Sequence, residues 1–355
     1  MDFLRLLLFP FSLIYGLITG ARNLLFDIGI LRSKKYDIPV ISVGNLSTGG
    51  TGKTPHTEYL IRLLEPLYRV HTLSRGYGRK TRGYRKANNQ ASALTIGDEP
   101  LQYFRKYPSI GVHVDGSRRR GIETILRTEP GADAILLDDA FQHRYVKPGL
   151  SVLLTDYHNM FYKNHILPMG NLRESRRGAR RADIIIVTKT PIILNPILRR
   201  QLIAEMKPAS HQKVYFSYIS YNQIVPLWDD AGRSLPEKKY SHILVFAGIV
   251  NTYPIQEYLS QMCHELVVLQ FPDHHQYTAA DIDRIKQKFD DLYSRNKLLV
   301  TTEKDAMRLL NPDIIDKVRY LPVHYLPIEV AFHHDDQRMF DEQILDYVRK
   351  NKRKR

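Results

Sequence analysis

The sequence predicts an α/β protein: a P-loop NTPase-type, mostly parallel sheet with flanking helices, a smaller second α/β domain, and an N-terminal membrane-associating helix. Three observations carry this. Pro39 to Pro55, PVISVGNLSTGGTGKTP, runs a short apolar strand into a glycine-rich turn and then a helix opening at Lys53-Thr54. Ala132 to His143, ADAILLDDAFQH, runs four apolar residues into Asp138-Asp139. Past residue 240, three further apolar runs with helical spacing between them begin a second alternating series.

The first 31 residues carry no charge from Leu6 to Ala21. That span falls short of the roughly 20 apolar residues a membrane-crossing helix needs, and Pro10 interrupts it. A helix lying in the membrane interface, flanked by Arg5, Arg22 and Arg32, fits it better. Two rivals are a helix packed on the protein's own core and a signal peptide with its exit at Thr19-Gly20-Ala21, though export would separate the glycine-rich loop from cytosolic ATP.

In the loop, Ser47, Thr48, Gly49, Gly50, Thr51, Gly52, Lys53 and Thr54 follow G-x-x-x-x-G-K-[ST] except that Ser47 stands at the first glycine. Glycines let backbone N–H groups turn toward phosphate oxygens, and the helix start adds partial positive charge. Lys53 is placed to reach the outer phosphates and the Thr54 hydroxyl to ligate Mg²⁺. The pattern therefore predicts ATP or a related triphosphate with Mg²⁺. Asp138 and Asp139, at the end of a buried strand, complete a Mg²⁺ site, because this hard cation needs only one or two carboxylates beside the phosphates.

Thr57 to Leu67 has helical spacing, and Val70 to Ser74 reads as a second strand ending in SRGYGRK, a basic glycine-hinged loop suited to a phosphate-facing lid that carries Arg75. Ala93 to Gly97 reads as a short strand with an acidic turn, Gly97-Asp98-Glu99-Pro100, at its carboxyl end, where open α/β sheets place chemistry. Leu150 to Asp156 and Ile184 to Lys189 are further strands; between them Arg173, Glu174 and four arginines offer forked donors to phosphate or a solvated basic face. Domain bounds are set at 1–32 for the N-terminal helix, 33–212 for the P-loop domain, 213–240 for linker strands and 241–350 for the smaller domain. Its strands are Ile243 to Ala247, Leu266 to Phe271 and Leu298 to Thr302, with Asp273-His274-His275 after the second and Glu303-Lys304-Asp305 after the third.

Composition is that of a globular protein, 43% hydrophobic and 25% charged, and the single cysteine, Cys263, excludes an internal disulfide and a cysteine zinc cluster. The formal charge of +15 calls for an acidic partner: nucleic acid, anionic lipid or a phosphorylated substrate. The terminal NKRKR adds a basic tail of the kind that anionic lipid attracts.

Taken in order, VGNLSTGGTGKTP, SRGYGRK, GDEP, LDDAFQH, PMGNLRE, FAGI, FPDHH and TTEKDA resemble the tetraacyldisaccharide 4'-kinase family from about Leu13 to about Pro327. The resemblance implies ATP-dependent phosphorylation of the 4'-hydroxyl of an acylated glucosamine disaccharide 1-phosphate, giving lipid IVA in lipid A biosynthesis. It implies a monomer bound to the cytoplasmic face of the bacterial inner membrane, with no nucleic-acid partner. Asp98 would be the base on the sugar hydroxyl, tuned and oriented by His274, with Lys53 the third catalytic group. Glu99, Arg118, Arg173, Glu174 and Arg75 would line the substrate site, the register among Arg118, Arg119 and Arg120 being open. Burial would keep the Asp98 and His274 pKa values close to 7. The alternative is a P-loop ATPase or GTPase acting as a membrane-associated switch, though Thr188-Lys189 lacks the acid of the guanine-reading motif.

Overall fold

A computed structural model describes residues 7–228 and 239–352. Arg5, the middle of the polar stretch before Lys239, and the last three residues of the NKRKR tail lie outside them.

Two sheets organise the chain. The larger is built from β1 Val40–Asn45, β2 Val70–Ser74, β3 Arg85–Lys86, β4 Gly111–Val114, β5 Ala134–Asp138, β6 Leu150–Asp156, β7 Ile184–Thr188, β8 Lys213–Tyr221 and, late in the chain, β14 Ile328–Phe332. These nine strands lie in the order β14-β8-β7-β6-β1-β5-β2-β4-β3. From β8 to β4 every pairing is parallel, and only the edges β14 and β3 are antiparallel. Strands buried on both faces must be apolar throughout, which is why β1, β5 and β7 read as runs rather than alternations. The smaller sheet is built from β9 Val225–Pro226, β10 Tyr240–Ala247, β11 Cys263–Gln270, β12 Lys297–Thr302 and β13 Val323–Leu326, in the order β11-β10-β12-β13-β9.

Three expectations change. The segment Ala93–Ile96 is a helical turn, not a strand; Ser92 and Thr95 form a capping box that starts it, and four residues are too few for periodicity to separate the two. The strand beside β2 is β4, whose GVHV carries a polar His113 in a fully buried position. The segment 213–240 is not simply a linker, since β8 is the seventh parallel strand of the larger sheet, and 241–350 does not all belong to the smaller unit. β14 returns to pair with β8, and the helix Asp336–Asn351 buries Phe340, Ile344 and Val348 in the larger core. The units are thus joined by two crossings, near 222–224 and at Pro327.

The helix Phe9–Asp27 inverts the usual amphipathic order. Ser12 is buried and Tyr15 and Asn23 face the protein, while Phe9, Phe11, Leu13, Ile14, Leu17, Ile18 and Leu24 are exposed. Ser12 Oγ donates to Ile166 O, Tyr15 Oη to Arg173 O and Asn23 Nδ2 to Glu174 Oε2 at 2.8 to 3.1 Å. A helix packed on its own core would turn its apolar stripe inward. No helix among the described residues is long and apolar enough to cross a membrane.

Candidate active site

The loop after β1 lies at the carboxyl edge of the larger sheet, between β5 and β6, where the parallel strands diverge. Gly52 has φ +84°, a left-handed turn that aims the start of helix Lys53–Leu64 back over the loop. Asn45 Nδ2 donates to Thr51 Oγ1 at 2.8 Å, and Thr188 Oγ1 donates to Thr51 O at 3.0 Å, fixing the inner side. His56 Nδ1 donates to Gly52 O at 2.7 Å; burial pushes this imidazole down to about 4, so it stays neutral and its Nε2 accepts from Ser217 Oγ. On the outer side Gly49 and Gly50 are exposed, with no atom within 4 Å of where a Cβ would sit. The loop is braced from beneath and open above, the shape an anion needs.

Around that opening stand the expected acids. Lys53 Nζ lies 3.6 Å from Asp139 Oδ1, and Arg173 Nη1 donates to the same carboxylate at 3.2 and 3.3 Å. Burial pushes the Asp139 carboxyl up, but Lys53 and Arg173 outweigh it and hold it below the usual range. Asp138 is fully enclosed; burial and then the Asp139 charge push it up to about 6. Tyr103 Oη donates to its Oδ2 at 3.0 Å, while its Oδ1 is buried with no partner. An orphaned carboxylate oxygen beside a phosphate loop and the buried Thr54 suits a divalent cation that takes oxygen ligands and keeps its own waters. Among the described residues no three His, Cys, Asp or Glu side chains cluster as a metal site of their own, so such an ion would depend on the phosphates.

The acceptor end is assembled across the two units. Gly97, at φ +97°, lets the lid backbone pass close above it, since a Cβ there would sit 2.9 Å from Tyr77 O; Asp98 then opens the helix Asp98–Lys106. Asp98 Oδ2 accepts from Arg308 Nε at 2.8 Å and lies 3.7 Å from His274 Nδ1. The Tyr77 ring stands 5.4 Å from the His274 ring. Burial raises the Asp98 carboxyl, yet His274 and Arg308 more than offset it, so the group sits below the ordinary carboxylate range rather than near 7. Sequence reasoning had no Arg308 in this site. His275, the other histidine of the pair, turns to Asp281 at 3.0 Å.

The remaining predicted contacts sort by what their side chains touch. Glu99 pairs with Lys304 at 3.0 Å, from the smaller unit. Arg118 is the arginine of its triplet that turns inward. It is 2% exposed and donates to the carbonyls of Asp115 and Asp138, and at 3.5 Å Asp139, while Arg119 and Arg120 pair outward with Glu123 and Asp115. Arg118 thus braces the Asp138-Asp139 turn from behind. Glu174 is also buried, accepting from Asn23, Gln142 and Arg181, and latches the N-terminal helix to the Arg173 loop. Arg75 is exposed on the lid.

A braced anion loop, a lysine and two strand-end carboxylates at one end, with a buried acid at the other, match the parts that a P-loop phosphotransferase needs, charge neutralisation and a proton acceptor. The family model described as Tetraacyldisaccharide-1-P 4'-kinase matches residues 4–349. The chain is 46% identical to the tetraacyldisaccharide 4'-kinase of Phocaeicola vulgatus over 98% of its own length and 96% of that protein's. It is 44% identical to that of Flavobacterium johnsoniae over 99% of both. A crystal structure of LpxK from Aquifex aeolicus, described as an "apo" form in complex with ATP, superposes with a TM-score of 0.72 at 28% identity, covering 97% of this chain and 99% of that one. The chain belongs to the tetraacyldisaccharide 4'-kinase family and is a kinase.

Proposed function

We propose that this kinase transfers the γ-phosphoryl group of ATP to the 4'-hydroxyl of an acylated glucosamine disaccharide 1-phosphate presented at the cytoplasmic face of the inner membrane. The observation that supports the reading most is the pairing of an open phosphate loop with an ionised Asp98 that no phosphate-binding residue uses.

The loop Ser47 to Thr54 would receive the triphosphate on its exposed Gly49-Gly50 backbone and on Lys53, which would exchange its 3.6 Å contact with Asp139 for phosphate oxygens. Thr54, Asp138 and Asp139 would hold Mg²⁺, which when bound neutralises charge on the transferring group. Asp98 takes the hydroxyl proton. Because its carboxyl lies low, it is fully ionised at neutral pH and accepts only as the transfer develops. His274, partly exposed and 3.7 Å from Asp98 Oδ2, tunes and orients that carboxylate. Arg173 and the lid residues Arg75 and Tyr77 flank the path between phosphate and acceptor.

The exposed apolar stripe of the N-terminal helix supplies the approach of a lipid. Lying in the interface, it would set the opening beside Arg173 and Glu174 at headgroup level, with the +15 charge favouring an anionic surface. The test is incubation with γ-labelled ATP, Mg²⁺ and detergent-dispersed acylated disaccharide 1-phosphate. Label on the lipid supports the reading; label released only as inorganic phosphate would leave an ATPase switch in its place.

A further inference from the structure

We infer that Arg308 is a positioning residue for the transfer: from the smaller unit it pins Asp98 by Oδ2 and His274 by Nδ1, leaving Asp98 Oδ1 for the incoming hydroxyl. This rests on the reading of Asp98 as proton acceptor.

Arg308 commits each nitrogen of its guanidinium to a different partner. Nε donates to Asp98 Oδ2 at 2.8 Å, Nη1 to Asp305 Oδ1 at 2.8 Å and Gly248 O at 3.1 Å, and Nη2 to His274 Nδ1 at 3.2 Å. The side chain is 1% exposed, so none of these is a loose surface pair. Its support is itself fixed: Asp305 is fully buried and accepts from Thr302 Oγ1 and Gly248 N. His274 stands in left-handed backbone at φ +56°, and its amide donates to the same Gly248 carbonyl that Arg308 reaches. The strain of that turn is held by this contact. One planar fork therefore sets the distance and angle between acid and histidine, which a flexible ammonium cannot do.

The charged and titratable groups facing Asp98 are Arg308 and His274. Beyond them stand Asp305 behind the guanidinium, Asp273 beside His274 at 3.9 Å, and Glu99, the next residue along, paired with Lys304. Removing the guanidinium leaves Asp305 buried without its cation and leaves His274 alone to offset the burial of Asp98. The Asp98 carboxyl must rise, and the acid limb of the kcat profile must rise with it.

The experiment compares Arg308→Lys, Arg308→Met and Asp98→Ala for kcat, KM for each substrate, the pH profile of kcat, and nucleotide affinity. We expect Asp98→Ala to lose about 10³-fold in kcat, Arg308→Met to lose about 10²-fold with its acid limb moved to higher pH, and Arg308→Lys to lose about tenfold. Nucleotide affinity should be unchanged in all three, and added guanidinium should restore part of the Arg308→Met rate. Wild-type kcat and acid limb in Arg308→Met, beside a severely slowed Asp98→Ala, would overturn the role of Arg308 alone. An active Asp98→Ala would instead overturn the base. Should Arg308→Met lose nucleotide binding and fail to fold, Arg308→Lys decides: an undiminished kcat there contradicts the proposal.

Discussion

The phosphate end and the acceptor end of this site are built in opposite ways. The first is local: β1, its loop and the helix at Lys53 are contiguous, and Asp138 and Asp139 come from the adjacent parallel strand. The second is a junction, in which Asp98 meets Arg308 across 210 residues and His274 arrives on a third segment. A contiguous motif keeps its geometry whatever the rest of the chain does. A junction holds only while two units stay in register. Here that register is kept by the helices Asp98–Lys106 and Glu303–Leu309, joined by the pairs Asp98–Arg308, Glu99–Lys304 and Lys106–Glu303. On the proposed roles, proton acceptance is conditional on the units being together, while triphosphate binding is not.

If the two ends are separable in this way, the largest effect should be the most one-sided. Asp98→Ala should cut transfer by about 10³-fold while leaving ATP affinity within about twofold; equal losses in both would break the distinction. Lys53→Ala should cut transfer by about 10²-fold and weaken ATP together, as measured by single-turnover rate and nucleotide titration. Replacing Leu13, Leu17 and Ile18 with serine touches only the acceptor's approach. Vesicle flotation should fall severalfold and KM for the lipid should rise, with no change in ATP binding; unchanged flotation would remove the interfacial role of the helix.

The smallest effect sits where the two ends meet. Glu58, on the phosphate-loop helix, accepts from Gln102 and pairs with Lys106, which also holds Glu303 of the smaller unit. Burial and then the Glu303 charge push its carboxyl up to about 7. The folded state therefore binds this proton more tightly than the unfolded chain does. Stability from it is full below the ordinary value of about 4.5 and is lost as pH rises through about 7. Glu58→Gln removes the loss, so the Tm difference from wild type should be more favourable at about pH 8 than at about pH 5, by about 2 °C or more. A pH-independent difference would contradict the sign.

The same contrast explains which residues are legible in the amino-acid sequence. Ser47 to Thr54 and Asp138-Asp139 declare themselves because strand, turn and helix signals adjoin them. Asp98 and His274 enter through family resemblance, since an acid after a glycine reads equally as a helix cap. Arg308 gives no signal: three residues after Asp305 on a helix, it looks like an i,i+3 surface pair, and its true partner is on another unit. Lys304 is in view only as part of TTEKDA, for the same reason. Arg118 and Glu174 are legible as charged residues near the site, but not as side chains committed to backbone carbonyls and to Asn23, Gln142 and Arg181. The outward apolar stripe of the N-terminal helix is legible as a run without charge; its orientation follows only from Ser12, Tyr15 and Asn23 finding partners on the protein.

The most direct test of the central claim, that one end holds the triphosphate and the other takes the proton, is a paired measurement on Asp98→Ala: nucleotide dissociation constant and label transferred to the acylated disaccharide in a single turnover. Wild-type nucleotide affinity with label reaching the lipid about 10³-fold more slowly is the predicted result. Normal labelling of the lipid by that variant would contradict it.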